Sequence, residues 1–272
     1  MIVRNGSRMY HVGDRVAETP EYRLYLCSPE GDGQGQLLQV ATDVAQNGML
    51  DRGAYFLEQL LARAGELEEM YTKIKTNPES KLHYELGFPA LVDSFLLTEQ
   101  GERRANVLAF RNIDDTRRMV PLHNVVHRDQ QRVDLRSSVW ILGKLLKIVA
   151  FAHGADITIN QITPGNVLIE PSQHGVLVFN WGNAQRHPDG VTRIDASEEV
   201  KAAAQTVFAV LGGTDEGGIP GDGSKEFDQY SEYLMVLREN GHRSAQEAHR
   251  DFYELVDQLW ERGFYPFTTL PL

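Results

Sequence analysis

The chain holds one cysteine, Cys27, among 272 residues. A lone thiol closes no internal disulfide, so a reducing compartment and a cytoplasmic location are the expectation. Long apolar runs are also missing. The best stretch, Val139 to Ala152, is interrupted by Lys144 and Lys147, which leaves it too short and too charged to cross a bilayer. The first residues show no apolar signal core. Positive charge is scarce: 27 Lys and Arg stand against 38 Asp and Glu, a formal net charge of −11. Such a surface repels nucleic-acid phosphates and anionic lipid, so neither nucleic acid nor a membrane is the expected partner. Internal repeats and low-complexity tails are absent as well.

What is present reads as an ordinary folded protein. Apolar residues make up 42% and charged residues 24%. The length suits one large domain or two small lobes, with enough core to need neither disulfide nor metal. Strands are expected at His11 to Val16, Tyr22 to Ser28 and Gln36 to Thr42, with a glycine-rich turn at Pro29 to Gly35. The period then changes. Leu50, Ala54, Leu57, Leu61, Ala64 and Leu67 recur at helical spacing and predict a helix from Asp51 to about Lys73. Two more strands follow, at Leu91 to Thr98 and Ala105 to Arg111, joined by Gln100-Gly101-Glu102.

The remainder is mainly helical. Asp134 is placed to cap a helix from Leu135 to His153. Asn166 to Glu170 and Gly175 to Asn180 read as a small hairpin. Further helices are expected at Ser197 to Leu211 and Ser244 to about Arg262, separated by a glycine-rich loop at Gly212 to Gly223.

The stretch Ile157-Thr-Ile-Asn-Gln-Ile-Thr-Pro-Gly-Asn-Val-Leu-Ile169 resembles the catalytic loop of the protein-kinase superfamily, in both its protein-kinase and small-molecule-kinase forms. A helix ending in Phe151-Ala-His-Gly154 precedes it, and Asn180-Trp181-Gly182 follows where that family carries Asp-Phe-Gly. The resemblance runs from about His11 to Arg262, weakest in the N-terminal third. It implies an α+β fold of two lobes: a five-stranded antiparallel N-lobe with one helix over residues 1–112, a hinge over 113–118 and a helical C-lobe over 119–272.

The resemblance also implies which residues a kinase would need, and most are replaced. Gln39 stands for the phosphate-holding Lys, and Gly53 for the Glu that holds that Lys. Gln161 stands for the catalytic-loop Asp and has no basicity at pH 7, and Asn180 stands for the metal-binding Asp. Only Asn166 matches, as a vestigial cofactor position. With a neutral Asn180 beside it, Asn166 is expected to bridge backbone groups of the loop ahead of binding metal. Between the first strands, Gly13-Asp-Arg-Val-Ala-Glu-Thr-Pro-Glu21 offers a single glycine for close backbone approach to phosphate, and Glu18 and Glu21 would repel it. Nothing after Asn180 matches the family's Ala-Pro-Glu. The expected function is therefore a catalytically inactive kinase-like protein, a pseudokinase acting as a protein-binding or allosteric scaffold, with no metal or cofactor and with nucleotide binding weak or absent. Two alternatives stay open. One is a nucleotide-binding sensor without phosphotransfer. The other is an active transferase using Asp195, Asp189 or Glu170.

Other signals carry less. His127-Arg128-Asp129 precedes the long helix where the family places its motif after it, and Asp134 occupies the position where an Asn is required. His123 and His127 have zinc-helix spacing without the Glu that follows the first His in zincins. Gly217 to Lys225 ends in Gly-Ser-Lys, the wrong order for a P-loop. Asp156 lies ten residues from Asn166 where the motif needs five, so it reads as a turn residue. Glu199 is read either as a brace for the catalytic loop or as an ordinary acid in a first helical turn. Trp181 is expected in the core beneath the hairpin, and Trp260, Phe264, Tyr265 and Phe267 are expected to dock on the body.

Overall fold

The computed structural model describes residues 2–30, 35–74, 87–111, 113–221, 223–261 and 263–272. Most of the expected turn at Pro29 to Gly35, Asn112 ahead of the expected hinge, Asp222 in the glycine-rich loop and Arg262 lie outside the described residues. The chain divides into two compact units, Met1–Arg117 with Trp181–Asn183, and Arg118–Asn180 with Ala184–Leu272.

The first unit is built on an antiparallel sheet. Its strands are β1 (Ile2–Asn5), β2 (Arg8–Glu18), β3 (Tyr22–Pro29), β4 (Gln36–Ala41), β5 (Ala90–Leu97) and β6 (Arg103–Ala109). They lie in the order β1-β2-β3-β4-β6-β5. That is six strands where five were expected. The extra one, β1, is four residues long and buries only Val3, so it offers no alternation to read. It turns into β2 through Gly6, whose φ of +57° suits glycine. Register shifts between Val12 and Ala17 break the period of β2 and hide its true length. The helix α1 (Asn47–Ile74) lies on β5 and β6 and buries Leu50, Ala54, Phe56, Leu57, Leu60 and Ala64. β4 is central and buried on both faces from Leu37 to Ala41, which gives it a nearly continuous apolar run.

The sheet curls until its two edges meet. Asn5 of β1 and Tyr10 of β2 both donate hydrogen bonds of 2.9 Å to the Asp93 carboxylate on β5, at the opposite edge. Tyr10 also stacks on Phe95, with centroids 6.1 Å apart. The concave side holds Val3, Tyr10, Cys27, Leu38, Val40, Phe95, Leu97, Ala105 and Val107 as one cluster. Curling covers edges that would otherwise pair with other chains.

The second unit is mainly helical. Its helices are α2 (Leu122–His127), α3 (Leu135–His153), α4 (Arg193–Val210), α5 (Lys225–Asn240) and α6 (Ala245–Leu259). Short strands complete it: β7 (Val120–Pro121), β8 (Gln131–Val133), β9 (Ile157–Thr158), β10 (Val167–Glu170), β11 (Gly175–Val178), β12 (Gln185–Arg186) and β13 (Thr269–Pro271). β10 and β11 form the expected hairpin, and β13 pairs with β8. α3 is the central helix and packs against α4 and α6. Asp134 caps it as expected, accepting from the backbone N–H groups of Arg136 at 2.8 Å and Ser137 at 3.1 Å.

Two helices depart from expectation. α4 starts at Arg193, a turn before Ser197, because Thr192 is the cap and the first turn has little apolar content to reveal it: Ile194 is 75% exposed. α5 has no counterpart in the sequence reading. Ser224 caps it, yet only Tyr230, Leu234 and Leu237 are buried, and the rest of its surface is charged or polar. Of the C-terminal aromatics, Phe267 meets Trp140 edge-on at 6.0 Å and Trp260 meets Tyr230 at 6.1 Å, whereas Phe264 stays 71% exposed.

Burial raises the phenol pKa of both Tyr22 and Tyr230 far above that of a free tyrosine. Unfolding releases phenols that ionise near pH 10, so above that pH the folded state holds more protons than the unfolded state. Stability contributed by these two groups is present below about pH 10 and falls as pH rises beyond it, by about 1.4 kcal/mol per pH unit for each phenol. Urea titrations at pH 8, 10 and 11 are expected to show the midpoint dropping between the last two. An unchanged midpoint would contradict this reading.

Candidate functional site

The loop between β9 and β10 is held by its own amides. Asn166, 1% exposed, directs its Nδ2 to two backbone carbonyls, Gln161 O at 2.7 Å and Asn180 O at 2.9 Å. Its Oδ1 accepts from the Asn180 N–H at 2.8 Å. Asn180, 2% exposed, donates from Nδ2 to the Gln161 side-chain carbonyl at 3.0 Å. Gln161, Asn166 and Asn180, all uncharged amides, are thus linked to one another by direct hydrogen bonds. The backbone adds Asn166 N–H to Thr163 O at 2.9 Å.

A carboxylate braces the same loop from α4. Glu199 is 4% exposed. Its Oε1 accepts from the N–H groups of Ile159 and Asn160, each at 2.7 Å, and its Oε2 lies 2.9 Å from His153 Nε2 at the end of α3. Asn160 takes a φ of +57°, a left-handed conformation that Asn tolerates better than most residues. Seven residues beyond Glu199, on the same face of α4, Thr206 donates its hydroxyl to Ile162 O at 2.9 Å. Of the two roles weighed for Glu199, the brace is the one observed. The sequence carried no signal for His153 beyond its place before the loop.

The segment after the loop is tied back as well. β12 pairs with β9, His187 N–H donates to Asp156 O at 2.8 Å, and His187 Nε2 lies 2.9 Å from the Thr158 hydroxyl. Asp156 has a φ of +59° and acts as a turn residue. Glu170 is buried at the end of β10, where its carboxylate accepts from Ser172 Oγ at 2.6 Å and Gln173 N–H at 2.5 Å. Asp195 accepts from the Thr192 hydroxyl at 2.7 Å, and Asp189 is exposed. The His123 and His127 rings lie next to each other, with centroids 4.1 Å apart and planes tilted by 32°. Among the described residues no group of three or more His, Cys, Asp or Glu side chains is arranged to hold a metal ion.

Within the first unit, Gln39 is buried on β4, opposite Leu24 of β3 and Asn106 of β6. Gly53 of α1 lies against the Trp181-Gly182 backbone: a Cβ built on Gly53 would sit 3.3 Å from Gly182 N. A Cβ on Gly182 would meet the Met49 carbonyl at 2.8 Å. The two glycines let helix and segment approach closely, and neither position has room for a longer side chain without a shift. Trp181 is core, 1% exposed, and its ring meets Phe88 edge-on at 5.9 Å.

No protein-family model matches the chain, and no curated protein matches it. A solved structure of vaccinia related kinase 3 does, over 95% of this chain and 90% of that one, with a TM-score of 0.66 and 14% sequence identity. The fold is that of a protein kinase. Identity this low carries the architecture and leaves activity to the site. In the kinase-like fold the curled sheet and the helical part are the two halves of the architecture, and the Gln161 to Asn166 stretch occupies a loop between short strands of the helical half. No helix among the described residues is long and apolar enough to cross a membrane.

Proposed function

We propose that this chain is a catalytically inactive kinase-like protein, a pseudokinase, that works by binding a protein partner. The observation that carries the reading is the amide network of Gln161, Asn166 and Asn180, which puts uncharged groups where a kinase needs carboxylates. Phosphoryl transfer requires a base or orienting carboxylate for the acceptor hydroxyl and carboxylate ligands for Mg²⁺. Amides supply neither, and these amides are already satisfied by one another and by the backbone. The residues present do not fit a metal–nucleotide pair. The replacements at Gln39 and Gly53 point the same way. The lobes of this reading are residues 1–112 and 119–272 with a hinge at 113–118, and the protein is placed in the cytoplasm with neither nucleic acid nor membrane as partner.

The rival with displaced carboxylates finds little support. Glu170 is committed to the hairpin turn and Asp195 to the start of α4. The deciding experiment pairs a phosphotransfer assay with thermal melting in ATP, ADP and GTP, each with and without Mg²⁺. A ligand of the folded state must raise the melting temperature. The expected result is no transferred γ-phosphate and no Mg²⁺-dependent shift with any nucleotide. Transfer that persists through purification controls would overturn the proposal. A shift independent of Mg²⁺, without transfer, would replace the scaffold with a nucleotide sensor.

A further inference from the structure

The short helix α2 carries two side chains that the amide network does not use. It buries Leu122 and Val125 and turns His123 and His127 to the solvent. Residues four apart lie one above the other on a helix, so the two imidazoles share one face. Their ring centroids are 4.1 Å apart, with planes tilted by 32°. Neither imidazole has a hydrogen bond or ion pair with another described residue. The rings therefore face each other with their nitrogens uncommitted.

Two such imidazoles are a ligand pair for a divalent ion that favours nitrogen. A tetrahedral ion bound to two histidine nitrogens at about 2.0–2.1 Å keeps those nitrogens about 3.3 Å apart. Rings with centroids 4.1 Å apart reach that spacing by turning about their own side-chain bonds, and their exposure leaves them room to turn. Partial desolvation and the charge of His127 lower the pKa of His123, which favours the neutral form that ligates. On an ordinary solvated face the two rings gain little from each other, because a proton on one disfavours a proton on its neighbour. An ion shared between them replaces that repulsion with chelation.

The residue after the first histidine is Asn124, where a zinc hydrolase carries Glu. Its absence removes a general base and leaves both ligands in place. The pair also has a link to the loop. The His123 N–H donates to Pro164 O at 2.9 Å, in the same loop as Gln161 and Asn166. A six-residue helix is too short to be stable by itself, so a clamp across it would hold both the helix and that bond.

We propose that His123 and His127 chelate one divalent transition-metal ion, of the class of Zn²⁺, Ni²⁺ and Cu²⁺, with water in the remaining positions, and that the ion clamps α2 beside the Pro164 turn. The site uses neither Mg²⁺ nor nucleotide, so it is independent of the pseudokinase reading and would stand if that reading fell.

The test uses the full chain without an added histidine tag, first stripped of metal by a chelator. Calorimetric titration with Zn²⁺ and with Ni²⁺ is expected to show saturable one-to-one binding, and Mg²⁺ and Ca²⁺ are expected to show none. His123→Gln and His127→Gln are each expected to weaken Zn²⁺ about tenfold or more, because a single imidazole loses the chelate. His11→Gln, at an exposed position in the first unit, should leave the affinity unchanged. The paramagnetic resonance spectrum of the Cu²⁺ complex should report two nitrogen ligands in the parent and one in either α2 variant. Circular dichroism checks that both variants stay folded. Saturating Zn²⁺ should also slow hydrogen exchange at the His123 amide, and an unchanged rate there would overturn the clamp. No saturable Zn²⁺ binding, undiminished affinity in both α2 variants, or a Cu²⁺ spectrum that neither substitution alters would each overturn the site.

Discussion

Asn166→Ala is expected to destabilise the protein by about 3–5 kcal/mol, a large effect for a residue at which a kinase binds metal. Asn166 serves three backbone groups at once, the carbonyls of Gln161 and Asn180 and the N–H of Asn180, in a site where neither Asn166 nor Asn180 exceeds 2% exposure. Removing it takes a partner from all three where water has little access, and each buried group left without one costs about 1–3 kcal/mol before relaxation. Asn166→Asp separates the possibilities further. A carboxylate keeps the acceptor for Asn180 N–H, but it turns an oxygen toward two carbonyls that need a donor, so it is expected to cost at least as much as alanine. Urea unfolding measures both, as a shift of midpoint at constant slope. A cost below about 1 kcal/mol for Asn166→Ala would show that the loop is held by something else, and a metal-binding role would regain ground.

Much of this site could be read in the chain, and the parts that could not have physical reasons. The Pro164-Gly165-Asn166 turn and the strand after it were legible because proline, glycine and a β-branched run each restrict the backbone locally. The bridging role of Asn166 followed from its neutral neighbour at Asn180. Glu199 stayed ambiguous because its partners are the N–H groups of Ile159 and Asn160, about forty residues away in the chain, and backbone groups leave no trace in a sequence. β1 and α5 escaped for a related reason. Each buries few residues, Val3 in one and Tyr230, Leu234 and Leu237 in the other, so their hydrophobic period is thin and their order comes from neighbours.

Amides stand in this loop at the positions where the resemblance to kinases implies charged groups. A carboxylate pair at positions 161 and 180 would repel without a cation between them. The amide pair donates and accepts directly, at 3.0 Å. Direct bonds between the amides hold positions 161, 166 and 180 together without a cation, which is the feature the proposed pseudokinase reading rests on.

Glu199→Ala is the second substitution with a large expected effect, about 3–5 kcal/mol, and its conservative partner shows why. The Glu199 carboxylate takes two backbone N–H bonds at 2.7 Å and faces His153 at 2.9 Å, with only 4% of the residue exposed. Alanine removes every acceptor: the N–H of buried Ile159 loses its partner inside the protein, and that of Asn160 loses its bond near the surface. Asn160 would then have to hold its left-handed conformation without the bond that rewards it. Glu199→Gln keeps a carbonyl oxygen for both N–H groups and loses the charge, so it is expected to cost about 1–2 kcal/mol. Hydrogen exchange gives the local readout: the amides of Ile159 and Asn160 should lose protection strongly in Glu199→Ala and modestly in Glu199→Gln. A glutamine variant as unstable as the alanine variant would mean that the charge itself, through His153, holds the loop. Two variants close to the parent would mean that β9–β12 pairing and the Thr206 bond to Ile162 O suffice, and that the brace is dispensable to a loop already closed by its amides.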